Sequence, residues 1–282
     1  MAIPKRVLGA TGAEVAALGL GGVCWNLVER DADAVAVVHR AIDLGITYLD
    51  TASGYKESER RLGLALKERD RTRLFVATKC VKRSGDEARR ELEESFSRLQ
   101  LEVIDLVQVH ALDQEESIDE VLRPNGILRL MEEYKRAGKI RFLGLTGHTR
   151  PDRFTRMIGE YPFDTILNPV GPVNRVWNDF SRTSLAAARH RGMGTIGMKV
   201  MAYGQVPAED RALYLRYALS QAVDVAIVGM DTVAQVEEHV QVAGAFVPLT
   251  PDEEREVLDR ALALVPKAKK ELWWLPANRA VA

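Results

Sequence analysis

The chain has 282 residues, 46% of them hydrophobic and 28% charged, which excludes an intrinsically disordered polymer. Its 39 basic and 40 acidic residues leave a net charge of −1, so no bulk attraction draws it to nucleic acid or to an anionic membrane. No apolar run reaches the roughly 20 residues of a spanning helix.

In chain order, Arg6–Ala16 (RVLGATGAEVA) predicts a β-hairpin around Thr11-Gly12, plugging the bottom of whatever follows. The first short apolar run is Ala17–Leu20, and Val35, Val38 and Ile42 then mark a helix that Gly45 can cap. Ile46–Leu49 is the second run, followed by a helix over Glu57–Lys67, and Leu74–Thr78 is the third. Ala88, Leu92, Phe96 and Leu99 next form one apolar helix face, leaving Glu91, Glu93, Glu94 and Arg98 on the other. Val103–Val109, a helix over Ile118–Ala137, and Ile140–Leu145 come next. Pro151 suits a helix start before Asp152–Gly159. Phe163–Leu167, Gly194–Met198 and Val223–Val228 are the remaining runs, with helices over Ser181–Arg191, Ala208–Ser220 and Val233–Ala243. An extra helix, Asp252–Val265, precedes an irregular tail with Trp273 and Trp274; Lys267, Lys269 and Lys270 read as a solvated helix end.

The eight runs are rich in Val, Ile and Leu, as strands buried on both faces should be. Eight strand–helix units without a long linker predict one α/β domain over residues 1–282, a closed (β/α)8 TIM barrel. Residues 1–16 are its N-terminal hairpin and 250–282 its extra C-terminal helix and tail. A doubly wound sheet is the alternative, but Gly19, Gly21 and Gly22 give only GLGG, without the third glycine of a dinucleotide fingerprint.

Active sites of such barrels lie at the C-terminal ends of the strands. The second run ends in Asp50, the third in Lys79 and the fourth in His110, and Tyr55 follows in the loop DTASGY. Singly, each has a plain reading: a loop-capping carboxylate, a surface or Schiff-base lysine, a rim histidine, a packed tyrosine. Together on adjacent strands they make a proton donor. A free phenol, with a pKa of about 10, is a weak acid. A nearby ammonium held by a carboxylate lowers that value, and an imidazole can hold the substrate oxygen.

At these residues the sequence resembles the aldo-keto reductases. The stretches RVLGATGAEVAALGLGG, YLDTASGYKESERRLGLAL, FVATK, DLVQVH and GKIRFLGLTGH carry the resemblance over nearly the whole chain. It implies hydride transfer between NADP(H), with NAD(H) the alternative, and a small carbonyl or alcohol. Tyr55 is then the proton donor, Lys79 and Asp50 its tuning pair, and His110 the orienter of the carbonyl. Implied cofactor contacts are Gly22, Val23 and Asp50, with Thr146 and Asn168 for the carboxamide and Gly147 unable to help. Met198 would pack on the nicotinamide and Lys199 meet the pyrophosphate. Gly229, Met230, Asp231, Gln235, Glu238 and His239 form the adenosine end, where an inward Asp231 would repel a 2′-phosphate. Trp25, Tyr55, His110 and Trp177 are the implied substrate pocket. Some relatives with a GLTGH-like segment carry a cysteine-rich cluster domain; this chain has no Cys after Cys80, so neither a metal nor an iron–sulfur centre is expected. Cys24 and Cys80, and an N-terminus without an apolar leader, fit a cytoplasmic enzyme. The competing functions are a cofactor-binding regulatory module with little turnover and a Schiff-base lyase using Lys79. The oligomeric state is left open.

Overall fold

The computed structural model describes residues 2–67 and 69–266. Strands β1 (Lys5–Val7) and β2 (Glu14–Ala16) form the hairpin, with Arg6 opposite Val15. Between them Gly9 and Gly12 adopt left-handed φ of +47° and +70°, which glycine reaches without a Cβ clash.

Eight parallel strands then close a barrel: β3 (Leu18–Gly21), β4 (Tyr48–Asp50), β5 (Phe75–Cys80), β6 (Ile104–Val109), β7 (Ile140–Thr146), β8 (Thr165–Pro169), β9 (Gly194–Met198) and β10 (Val225–Gly229), with β10 returning to pair with β3. Each predicted apolar run lies on one of these strands, its ends displaced by at most two residues. The helices that pack outside are α1 (Asp31–Asp43), α2 (Ser58–Leu66), α3 (Gly85–Leu99), α4 (Glu115–Leu122), α5 (Ile127–Arg136), α6 (Pro151–Glu160), α7 (Pro172–Trp177), α8 (Ser184–His190), α9 (Arg211–Ser220), α10 (Val233–Gly244) and α11 (Pro251–Leu264). Among the described residues no helix is long and apolar enough to cross a membrane.

The barrel interior is filled by Tyr48, Phe75, Leu106, Leu167, Ile196 and Ile227, with Tyr48 stacked on Phe75 at 5.3 Å between ring centroids. Leu8 and Val15 of the hairpin join this cluster. Ala10 N–H donates to the Gly192 carbonyl at 2.7 Å, and Arg6 donates to the carbonyls of Val223 and Leu219. These partners precede β9 and β10, so the hairpin seals the N-terminal end of the barrel. A Cβ on Gly19 would stand 2.9 Å from Ile227 and 3.1 Å from Tyr48. The first glycine of GLGG therefore makes room for interior side chains.

Three predicted helices are corrected. The span Ile118–Ala137 divides into α4 and α5, because Pro124 lacks an N–H and Gly126 lies where a Cβ would press on the carbonyls of Glu120, Val121 and Arg123. The loop after β8 holds α7, started by Pro172 and absent from the prediction, so the next helix begins only at Ser184. Ala208–Asp210 is a 3-10 turn ahead of α9. Helix α11 is capped by Thr250 and Glu253, which bond each other's backbone N–H. Its Val257 and Ala261 pack with Tyr214, Tyr217 and Trp177. Lys267, Lys269, Lys270, Trp273 and Trp274 lie outside the described residues.

Candidate active site

Parallel pairing sets Asp50 beside Ala77 and Lys79 beside Gln108. Asp50, Lys79 and His110 thus reach the same rim from three neighbouring strands. Lys79 and Asp50 are buried to 1% and 2% side-chain exposure and form an ion pair. The ammonium also donates to the Thr51 carbonyl at 2.7 Å, and Gln108 Nε2 lies 3.4 Å from the other Asp50 oxygen. Neither Thr51 nor Gln108 was singled out from sequence, although Gln108 stands two residues before His110.

Tyr55 hangs over this pair. Lys79 Nζ is 4.8 Å from the centroid of its ring. The His110 ring meets Tyr55 edge-on, with centroids 5.7 Å apart at 80°. Burial works against the Lys79 ammonium, but Asp50 and Tyr55 outweigh it and hold its pKa above the ordinary value. Burial pushes the Tyr55 phenol up, Lys79 is the largest influence pulling it down, and the net direction is up. Lys79 therefore acts with the expected sign, but Tyr55 rests as a protonated phenol. Burial, then the charges of Lys79 and His148, push His110 well below the usual imidazole range. It is a neutral ring whose buried Nδ1 has no hydrogen-bond partner among the described residues.

A cavity of about 620 Å³ opens at this rim. It runs from Tyr55, Lys79 and His148 past Met198 and Lys199 to Asp231 and Gln235. Of the sequence-predicted residues, Gly22, Val23, Asp50, Tyr55, Lys79, Met198, Lys199, Gly229, Asp231 and Gln235 lie on its wall. Lys199 has a left-handed φ of +61° and its amine sits 4.7 Å from the Tyr203 ring centroid. Burial and the repulsion of Lys79 lower its pKa to about 8.

Other predicted positions lie off the wall. Trp25 is fully buried and its indole N–H donates to the Met230 carbonyl at 3.0 Å, so it backs the wall and does not face the cavity. Trp177 packs with the α11 cluster. Met230 and His239 are buried off the wall, with His239 Nδ1 2.6 Å from the Gln235 carbonyl. Glu238 pairs with Arg211 at 3.7 Å. Asn168 already donates to the Gly147 carbonyl and accepts from Ser184. Thr146 Oγ1 is buried without a hydrogen-bond partner among the described residues. His110 borders Tyr55 but is not itself a wall residue.

The structure adds Asp113, which sequence reading missed. Its carboxylate accepts the backbone N–H groups of His148 and Thr149 at 2.6 and 2.9 Å, and its other oxygen lies 2.9 Å from His148 Nδ1. A Cβ on Gly147 would stand 3.0 Å from Asp113 and 2.3 Å from Phe154. Gly147 thus gives up its own side chain to let a carboxylate–imidazole pair approach the cavity.

A nicotinamide dinucleotide fits these residues. The cavity wall includes Lys199 and, from the first turn of α10, Gln235, and a lysine and a helix N-terminus both favour phosphate. The Thr146 hydroxyl, buried at the end of β7 and without a partner among the described residues, is the kind of group an amide would satisfy. No group of three or more metal-binding side chains occurs among the described residues.

Comparison with known proteins agrees with this geometry. The family model described as the aldo/keto reductase family matches residues 17–212. An L-galactose dehydrogenase of Arabidopsis thaliana is 30% identical over 96% of this chain and 97% of its own length. A 6-dehydroglucose reductase of Novosphingobium aromaticivorans is 33% identical over 51% of this chain and 52% of its own. A solved aldo-keto reductase from Bacillus halodurans superposes with a TM-score of 0.75 at 25% identity, covering 92% of this chain and 96% of that one. With its barrel, its rim of Asp50, Tyr55, Lys79 and His110, and a family match across most of its length, the chain belongs to the aldo/keto reductase family and is an NAD(P)H-dependent oxidoreductase.

Proposed function

We propose that the chain moves hydride between a nicotinamide dinucleotide and a small hydroxylated carbonyl or alcohol, with Tyr55 as proton donor. The observation that carries this reading is the buried, charged Lys79 amine under the Tyr55 ring on the cavity wall. When bound, the cofactor supplies hydride to the carbonyl carbon. Tyr55 gives its phenolic proton to the carbonyl oxygen. Lys79, held by Asp50 and the Thr51 carbonyl, stabilises the phenolate left behind. Neutral His110 donates a hydrogen bond to the same oxygen and so orients it. The hydroxylated class is supported by two relatives named for sugars and by the His148–Asp113 pair near the acid. Asp113 accepts the hydrogen bond of the His148 Nδ1–H and so fixes this polar ring at the cavity wall.

Gly22, Val23, Met198, Lys199, Gly229 and Gln235 would hold the cofactor. The resemblance implies NADP(H), but Asp231 is on the wall and the described wall around Gly229, Asp231 and Gln235 carries no Lys or Arg. A carboxylate near a 2′-phosphate costs binding, so we read the site as preferring NAD(H). Fluorescence titration should give a Kd for NADH about tenfold or more below that for NADPH. Tighter NADPH binding would refute the preference. Turnover of glyceraldehyde tests the reaction itself.

A further inference from the structure

We propose that Glu91 is a positioning residue, clamping the Tyr55 loop to the end of β5 from outside the barrel and so fixing Tyr55 over Lys79. It rests on the reading of Tyr55 as the proton donor. Glu91 stands on the α3 face that periodicity assigns to solvent, yet its carboxylate turns toward the rim. One oxygen accepts from the Ser53 hydroxyl and from Val81 N–H at 3.1 Å. The other accepts from the Cys80 thiol at 2.7 Å, Lys82 N–H at 2.8 Å and Val81 N–H at 3.0 Å. Ser53 closes the link on its far side, with its N–H donating to the Lys79 carbonyl at 3.2 Å.

Ser53 is two residues before Tyr55, and Cys80 directly follows Lys79. The acid and the lysine are therefore cross-linked twice. Inside the barrel, Lys79 Nζ holds Asp50 and the Thr51 carbonyl. Outside, Glu91 joins Ser53 to residues 80–82. The segment needs this second tie. An added Cβ on Gly54 would meet only Val81, at 3.6 Å, and Lys56 is held at a left-handed φ of +44°, which a non-glycine residue adopts at a cost. Packing of α3 does not need Glu91, since Ala88, Leu92, Ser95 and Leu99 are its buried residues. Burial works against the carboxylate, but its four kinds of donor outweigh that and hold its pKa below the ordinary value, so it stays an acceptor.

The test uses the full chain with glyceraldehyde and NADH, in Glu91→Ala, Glu91→Gln, Ser53→Ala and Tyr55→Phe. Misplacement of a reacting group by an ångström can cost on the order of 100-fold. Glu91→Ala should lower kcat by about 10- to 100-fold and Ser53→Ala by about 3- to 10-fold, with the Kd for NADH within about twofold of wild type. Glu91→Gln keeps one acceptor oxygen but turns an NH2 toward N–H donors on the other side, so it should recover only part of the loss. Lys79 lowers the Tyr55 pKa, so loosening the loop should also move the alkaline limb of the kcat profile to higher pH. The proposal is overturned if kcat stays within about twofold in both Ala variants, or if kcat, NADH affinity and the urea midpoint fall together. Should Glu91→Ala not fold, Ser53→Ala decides, because it removes the loop's hydroxyl, which bonds Glu91 and lies 2.9 Å from the Lys79 carbonyl, and leaves Glu91 with its other donors. Full turnover in Tyr55→Phe defeats the donor reading and the clamp together. Loss in Tyr55→Phe with none in Glu91→Ala and Ser53→Ala defeats the clamp alone.

Discussion

The two ends of the barrel are built on different terms. At the closed end, Leu8 and Val15 complete an apolar cluster, Arg6 satisfies two strand-end carbonyls, and a Cβ on Gly9 would stand 2.3 Å from the backbone of Gly194. At the open end an ion pair is buried, His110 and Thr146 keep unpartnered polar atoms among the described residues, and Asp113 occupies space that Gly147 vacates. Of the seven described non-glycine residues with positive φ, all but Gln100 lie in loops of the open end. Strain and buried polarity cost stability and persist where a site needs them. The closed end holds the fold, and the open end spends part of that stability on fixed chemistry.

Substitutions at the two ends should therefore separate stability from turnover. The largest effect is expected where both meet. Lys79→Met leaves Asp50 buried without its cation, which should cost about 3–5 kcal/mol, and removes support for the acid, worth about 10²- to 10⁴-fold in kcat. Urea unfolding and steady-state kinetics read the two losses separately. Leu8→Ala should cost about 2–5 kcal/mol while kcat per folded molecule stays at the wild-type value. A matching fall in kcat would break the division of labour.

A smaller effect concerns Lys199, whose pKa of about 8 lies below that of an ordinary amine. Its charge is present at pH 7 and mostly lost by pH 9. The affinity for NADH, whose pyrophosphate is anionic, should fall by about three- to tenfold over that interval. Lys199→Met should bind more weakly at pH 7 and show a flat profile. An unchanged slope in that variant would remove Lys199 from the cofactor site.

Sequence was most informative where a strand ended. Asp50, Lys79 and His110 each close an apolar run, and parallel pairing must bring such ends to one rim. The hairpin plug was legible from RVLGATGAEVA for a similar reason, since Thr11-Gly12 divides two short segments. Side chains that act across the rim were not legible. Helical periodicity separates buried from solvent faces but does not show that α3 brings Glu91 beside residues 80–82. Asp113 sits in an irregular loop, and its partner His148 is 35 residues away. Trp25 was misread because an aromatic beside a glycine pair can face a cavity or support it from behind. Here the bond to the Met230 carbonyl fixes the second arrangement. The direction of the Tyr55 shift was misread as well: the ammonium was expected to lower the pKa, but the depth at which the ring is buried outweighs it and the net direction is up.

The central claim is that the Tyr55 hydroxyl donates the proton while the rest of the rim holds it in place. Steady-state oxidation of NADH with glyceraldehyde by wild type and Tyr55→Phe, alongside NADH titration of both proteins, tests it most directly. In Tyr55→Phe, kcat should fall by about 10²- to 10⁴-fold while the Kd for NADH and the urea midpoint stay unchanged. Wild-type kcat in the Tyr55→Phe enzyme would contradict it.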